Sequence, residues 1–265
     1  MGVGLDKEAV ARAFSQAAPA YDQWAQPQRH IARRLGELLP QIQDGVRVLE
    51  LGCGTGLFTT ELRHRYPSAH ILGLDLAPGM IEACRHRWGE DGRMEFAVAD
   101  AEDLRKADRF DLIASSCSVQ WFTNHRRTFR RLGRLLGRGG HMAVSAVLAG
   151  TLGELGDCYR RVVGTAFGTV KLHEPEFYTG LLENAGLRVR EARTERFEVL
   201  YRDGLELLRA LKETGTTFRP HSGHRVRTAS EVRTIVRRYE EGYRRSDGWL
   251  PATYRVLYVV GQDRQ

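Results

Sequence analysis

The sequence predicts an α/β fold: a seven-stranded, mostly parallel sheet with one antiparallel edge strand and a helical insertion lying over one end. Three observations predict it. Between residues 46 and 147 short apolar runs alternate with stretches of helical periodicity, which implies βαβ crossovers and helices on both faces of the sheet. The first run, Val46-Arg47-Val48-Leu49-Glu50-Leu51, leads straight into Gly52-Cys53-Gly54-Thr55-Gly56 and then into the helical spacing of Leu57 to Leu62. After Gly150 the alternation stops, and two further strands, 187–201 and 253–260, stand about fifty residues apart, as an antiparallel edge pair with an insertion would.

A chain of 265 residues is long enough to bury a substantial core. The expected organisation is a single domain over 1–265. It has an N-terminal helical cap at 1–40, a ligand-binding core at 46–147, and helical substrate lid segments at 150–185 and 203–250. Hydrophobic residues at 42% and charged ones at 28% are ordinary for a soluble globular protein. No apolar run approaches the ~20 residues of a membrane span, and Met1 to Lys7 lacks the basic-then-apolar order of an export segment. Cys53, Cys84, Cys117 and Cys158 are widely spaced, without a Cys-x-x-Cys pair, which predicts reduced thiols in a cytoplasmic protein and no zinc or other metal. A net charge of +7, with arginine far exceeding lysine, fits an acidic protein partner, a small anionic substrate or a general compositional bias. The arginines are scattered and no aromatic residues interleave with a basic run, so neither nucleic acid nor membrane is expected as a partner. Oligomeric state is not legible.

In chain order, residues 6–24 read as an amphipathic helix with Val10, Phe14, Ala17 and Ala18 on one face, ending near Pro19. A second helix from Pro27 turns Ile31, Leu35, Leu38 and Leu39 inward. The core then reads as strands 46–51, 70–75, 94–99, 110–115 and 141–147, with helices 57–66, 78–88 and 125–136 between them. Glycines at alternate positions let the first turn bend sharply and let a ligand approach the main chain, and the helix beyond aims its free N–H groups at that ligand. Asp75 closes the second strand 19 residues after Gly56, close to the ~20 expected of a residue that grips a ribose, and Asp100 closes the third. Each acid alone is equally a helix cap; together, in register with the glycines, they describe a nucleoside site. Ser116 to Phe122, at the C-terminal end of the fourth strand, faces the same crevice. Gly137-Arg138-Gly139-Gly140 reads as the turn before the fifth strand. Helices at 151–167, 175–185, 203–213 and 229–245 follow, with a basic loop from Phe218 to Arg227.

The nicotinamide fingerprint is Gly-x-Gly-x-x-Gly, whereas this chain has Gly52-x-Gly54-x-Gly56 preceded by Glu50. With E-L-G-C-G-T-G, G-L-D-L and A-D-A-E in order, it resembles the class I S-adenosylmethionine-dependent methyltransferases, which have a Rossmann-like fold. The resemblance implies S-adenosyl-L-methionine as cofactor. It implies cofactor contacts at Tyr21, Glu50, Gly52, Gly54, Gly56, Asp75, Leu76, Met80, Asp100, Ala101 and Ser116, with Met80 near ribose and adenine, Asp100 accepting from the adenine amino group, and Tyr21 capping the pocket.

Within that class several segments resemble the malonyl-[acyl-carrier protein] O-methyltransferases of biotin biosynthesis. These are Val10 to Ala18 with Tyr21-Asp22 and Gln28, Ser118-Val119-Gln120-Trp121, Leu172-His173-Glu174 leading to Ala185-Gly186-Leu187, Leu211-Lys212-Glu213-Thr214-Gly215, and Leu250-Pro251-Ala252-Thr253-Tyr254. The implied reaction is methylation of the free carboxylate of a malonyl thioester on an acyl carrier protein or coenzyme A. A carboxylate is already ionised near pH 7, so no general base is needed, and Tyr21, Gln120, Trp121 and His173, with an arginine of the insertion, are the expected acceptor wall. The chain departs from the family at Thr165 to Thr169, at Thr216-Thr217 and at Arg105-Lys106-Ala107. The departures leave open a related O-, N- or C-methyltransferase acting on a small natural-product substrate, and the cofactor motif alone leaves open a non-catalytic S-adenosylmethionine-binding module.

Overall fold

The glycine-rich turn lies where the strand order of the sheet reverses. A computed structural model describes residues 5–43, 45–89, 91–104, 108–168, 170–216 and 228–264. Its seven strands are β1 (Arg47–Leu51), β2 (His70–Asp75), β3 (Met94–Val98), β4 (Phe110–Ser116), β5 (Leu136–Val147), β6 (Leu187–Tyr201) and β7 (Leu250–Asp263), in the order β3-β2-β1-β4-β5-β7-β6. β1 pairs in parallel with both β2 and β4, so the crevice outside its C-terminal end opens at the switch point. β7 is the one reversed strand, antiparallel to β5 on one side and to β6, the outermost strand, on the other.

β1, β2 and β4 are apolar on both faces because helices cover both. Val48, Leu49, Leu51, Ile71, Leu72, Leu74, Leu112, Ile113 and Ala114 are all buried. One face packs α3 (Gln26–Glu37) and α4 (Leu57–Arg65), through Ile31, Leu35, Phe58 and Leu62, beside α7 (Gly153–Val163), α9 (Gly204–Glu213) and α10 (Ala229–Tyr243). The other packs α6 (His125–Leu135) and α8 (Pro175–Asn184) through Phe129, Leu132, Tyr178, Leu181 and Leu182. A small third cluster joins Ile81 and Cys84 of α5 (Pro78–Trp88) to Cys53 and Phe96.

Local chemistry sets most helix starts. The Asp6 carboxylate accepts from the Ala9 amide to cap α1 (Lys7–Ala17), Asn124 caps α6 in the same way, and Thr228 with Glu231 forms a capping box on α10. Pro78 and Pro175 sit in the first turns of α5 and α8.

Three expectations need correction. The helix read over 6–24 is two, α1 and the one-turn α2 (Tyr21–Trp24), because Pro19 cannot continue the first. Gly137 to Gly140 is not a turn before β5 but its beginning, an irregular stretch where the pairing with β4 shifts between Phe110 and Leu112; a Cβ on Gly140 would lie 2.9 Å from the Gly137 carbonyl. Within 150–185, α8 does not lie over the crevice but packs on α6 and β6 under the sheet. The basic loop from Phe218 to Arg227 falls outside the described residues. Among the described residues no helix is long and apolar enough to cross a membrane, and no cluster of three or more His, Cys, Asp or Glu side chains has the arrangement of a metal site.

Candidate active site

The three glycines of the first turn all have left-handed backbones, with φ of 65° at Gly52, 56° at Gly54 and 88° at Gly56. Their surroundings differ. A Cβ on Gly52 would sit 2.1 Å from the Ser118 hydroxyl, and one on Gly56 would sit 2.8 Å from Trp88 Nε1. Around Gly54 nothing lies within 4 Å, so this glycine is the one whose missing side chain leaves open space. The turn is locked to the tip of β2 by Asp75, whose carboxylate accepts from the Gly54 amide at 2.9 Å and the Ala77 amide at 2.8 Å. Burial pushes the Asp75 carboxyl up, and the Ala77, Gly54 and Leu76 amides pull it back. Each of its oxygens keeps a further lone pair for a ligand.

A cavity opens over these tips, and it is lined by every expected cofactor residue except Glu50 and Gly56: Tyr21, Gly52, Gly54, Asp75, Leu76, Met80, Asp100, Ala101 and Ser116. Glu50 lies beneath the turn. It is 1% exposed, one carboxyl oxygen accepts from Thr59 at 2.7 Å, the other has no partner, and burial pushes its pKa up to about 8. It ties α4 to β1 rather than facing the cavity. Gly56 is likewise a packing glycine, at the N-terminus of α4 against Trp88 and Cys84.

The cavity is roofed by α1 and α2, which are fastened to the tips of β1, β2 and β3. Lys7 Nζ bonds to Asp100 at 2.6 Å and also to Glu102, beyond β3. The Gly79 amide, beyond β2, donates to Ser15 Oγ at 3.2 Å, and Thr55 Oγ1, beyond β1, donates to Asp22 at 2.5 Å, while Arg87 closes on the other Asp22 oxygen. Glu102 is the central tie. Burial alone would raise its carboxyl, but hydrogen bonds from Lys7 and from the Thr123 and Asn124 amides hold it at about 2. It thereby fixes the start of α6 to the β3 tip and both to the roof. Sequence reasoning did not single out Lys7, Asp22 or Glu102 for any role; the available signal was the nearness of Asp22 to Tyr21 and of Glu102 to Asp100, and for Lys7 there was none.

A second, larger cavity of about 770 Å³, against about 130 Å³ for the first, lies behind the roof. Phe14, Tyr21, Gln28, Cys117 and Trp121 line both, so these five form the passage between them. Trp121 stands edge-on to Phe14, with ring centroids 5.4 Å apart. Burial pushes the Tyr21 phenol up, leaving it a neutral donor, and the Gln28 side-chain carbonyl is buried without a partner. Cys117 has φ of 54°, a strained conformation for a residue with a side chain, and its thiol is pushed by burial to about 12, so it is no nucleophile at neutral pH. Gln120 lines only the second cavity and donates to the Cys117 carbonyl at 2.7 Å. The rest of that cavity is mainly apolar, with Arg160 and Lys171 as its cations beside Asp157.

His173 lines neither cavity, contrary to expectation. Its ring stacks on Phe177 at 3.8 Å with 10° between planes, and burial holds it below the ordinary imidazole range. Its neighbours Lys171 and Leu172 face the cavity instead.

Comparison with known proteins agrees with this geometry. Residues 48–140 match a family model described as a methyltransferase domain. The chain is 34% identical over 268 residues to the malonyl-[acyl-carrier protein] O-methyltransferase of Geobacter sulfurreducens, covering 97% of this chain and 99% of that one. The enzyme of the same name from Brevibacillus brevis is 30% identical over 267 residues, covering 96% of each. Among solved structures, the YcgJ protein of Bacillus subtilis superposes with a TM-score of 0.63 at 16% identity, over 89% of this chain and 99% of that one. The cyclase SpnF superposes with a TM-score of 0.56 at 17% identity, over 89% and 81%, so the fold by itself does not fix the chemistry. The near-full-length sequence relatives do: the chain belongs to the malonyl-[acyl-carrier protein] O-methyltransferase family and is an S-adenosylmethionine-dependent methyltransferase.

Proposed function

We propose that the protein transfers the methyl group of S-adenosylmethionine to the free carboxylate of a malonyl thioester carried on an acyl carrier protein, as the names of its relatives describe for them. The observation that carries this reading is the pair of cavities meeting at Phe14, Tyr21, Gln28, Cys117 and Trp121, the smaller polar at its floor and the larger apolar with two cations. The residues present fit the cofactor. Gly54 leaves room against the main chain, Asp75 keeps lone pairs for two ribose hydroxyls, and Leu76, Met80 and Ala101 supply an apolar slot for the adenine beside Asp100. When bound, the sulfonium supplies an electrophilic methyl group and a good leaving group. Tyr21, Gln28 and Trp121 then align an acceptor already ionised near pH 7 and keep water out, which is where the rate gain of an in-line displacement lies. No thiolate or imidazole base is required, in keeping with the raised Cys117 and lowered His125 and His173. Arg160 and Lys171 draw the anionic acceptor into the cavity.

Purified protein given S-adenosylmethionine and either malonyl-carrier or malonyl-coenzyme A is expected to release S-adenosylhomocysteine and add one methyl to the thioester by mass spectrometry. Turnover of a phenol with both thioesters untouched would overturn the reading. One observation favours that second reading, a related methyltransferase with a small-molecule acceptor: Ala166, Phe167, Gly168 and Thr216, from the segments that depart from the family, all line the second cavity.

A further inference from the structure

Helix α6, His125–Leu135, reads HRRTFRRLGRL and contains no acid. Thr128, Phe129, Leu132 and Leu135 are buried, which leaves Arg126, Arg127, Arg130 and Arg134 exposed. At about 100° per residue these four fall within an arc of about 100°, and at 1.5 Å per residue they extend over about 12 Å, so they form one stripe. Among the described residues none of the four side chains has a carboxylate within ion-pair distance, whereas other surface arginines do: Arg160 pairs with Asp157, Arg202 with Glu206, and Arg237 with Glu241.

The stripe works against the helix that carries it. Arg126 and Arg127 stand in the first turn, at the positive end of the macrodipole, and the pairs 126/130, 130/134 and 127/131 place like charges one turn apart. Its position is not arbitrary either. The first turn of α6 follows the Ser116 to Phe122 segment at the C-terminal end of β4, so Arg126 and Arg127 stand at the crevice end of the sheet, while His125 on the buried face packs 5.8 Å from His173, two residues after the cavity-lining Lys171. The N-terminal end of the stripe and Lys171 therefore stand at the same, C-terminal, end of the parallel strands.

We propose that the α6 stripe, with Lys171 at the rim, docks an acidic carrier protein so that its thioester arm enters the second cavity; this rests on the acceptor reading above. Charge complementarity chooses this occupant: an acidic protein surface matches an uncompensated cationic stripe about 12 Å long that begins at the crevice end of the sheet.

Two matched double variants test it, R126E/R130E on α6 and R233E/R237E on α10, each spaced by one turn. The first places acids where the helix dipole favours them, so its Tm should not fall. With malonyl-carrier its kcat/KM is expected to drop about tenfold or more and lose its salt dependence, while kcat/KM with malonyl N-acetylcysteamine, a carrier-free thioester, stays at the wild-type value. The α10 variant should match the wild type on both. Fluorescence anisotropy with labelled unacylated carrier reads docking without turnover. Unchanged carrier affinity in R126E/R130E, an equal loss in R233E/R237E, or preferential binding of duplex DNA by the stripe would overturn the docking surface. Failure of the wild type on the short thioester would instead overturn the acceptor reading.

Discussion

Over the tips of β1 to β3, the acids of the first cavity accept from main-chain amides: Asp75 from Gly54 on the neighbouring tip and from Ala77 two residues on, Asp100 from Glu102 two residues on. The acceptor cavity is closed in another way, by side chains from α1, α3, the Gln120-Trp121 turn, α7, the 166–172 segment and α9, and its chemistry rests on a few cations among apolar walls. The first region is rigid because its partners are backbone groups of a buried sheet. The second is tunable, because replacing a side chain there disturbs no ladder. That difference fits the place of two of the three departures from the family, at Ala166 to Gly168 and at Thr216, in the second region.

The largest expected effect tests the rigid half at its buried acid. Burial raises the folded-state pKa of Glu50 to about 8, so the folded chain holds a proton that the unfolded chain releases near the ordinary carboxyl range. The stabilisation from that proton is complete at low pH and is lost as pH rises toward 8, with a slope approaching about 1.4 kcal/mol per pH unit. Denaturant titrations from pH 5 to 8 should show this decline in the wild type and a flatter profile in Glu50→Gln; parallel profiles would mean that Glu50 is ionised in the fold.

Next in size is Gly56→Ala, which combines a left-handed backbone with a Cβ forced on Trp88 and is expected to cost about 2–4 kcal/mol of stability, with unchanged S-adenosylmethionine affinity in the protein that remains folded. If affinity falls and stability does not, Gly56 belongs to the cradle after all. Asp75→Ala should weaken cofactor binding by about 1.5–3 kcal/mol in calorimetry while the thioester KM holds, and an unmoved Kd would displace the ribose from this carboxylate. The smallest effect sharpens the tunable half: Arg160→Gln should raise the KM for the malonyl thioester about five- to tenfold, roughly 1 kcal/mol, and leave cofactor Kd alone. A change in Kd instead would mean that the two cavities are not separable.

Much of the core was legible in residue order. Strands 70–75 and 187–201 fall where the apolar runs put them, since a strand buried on both faces leaves an unbroken apolar run and a half-covered one leaves alternation. Gly137 to Gly140 was misread because a glycine cluster that allows a turn equally allows an irregular strand start, and only the partner strand decides between them. His173 was misassigned because the segment's likeness to its family fixes the residue but not the direction of its ring, which Phe177 determines. The strain at Cys117 and the saturation of Glu102 left no trace in local sequence, for both arise from partners far along the chain.

The sequence by itself determined the strand order's raw material, the cofactor class and the acids at the tips of β2 and β3, because spacing along one chain sets which residues stand at successive strand tips. Only the tertiary structure decided what each glycine of Gly52-Cys53-Gly54-Thr55-Gly56 is for. All three bend the chain alike, and what a Cβ would strike, Ser118, Trp88 or open space, depends on residues that folding brings there.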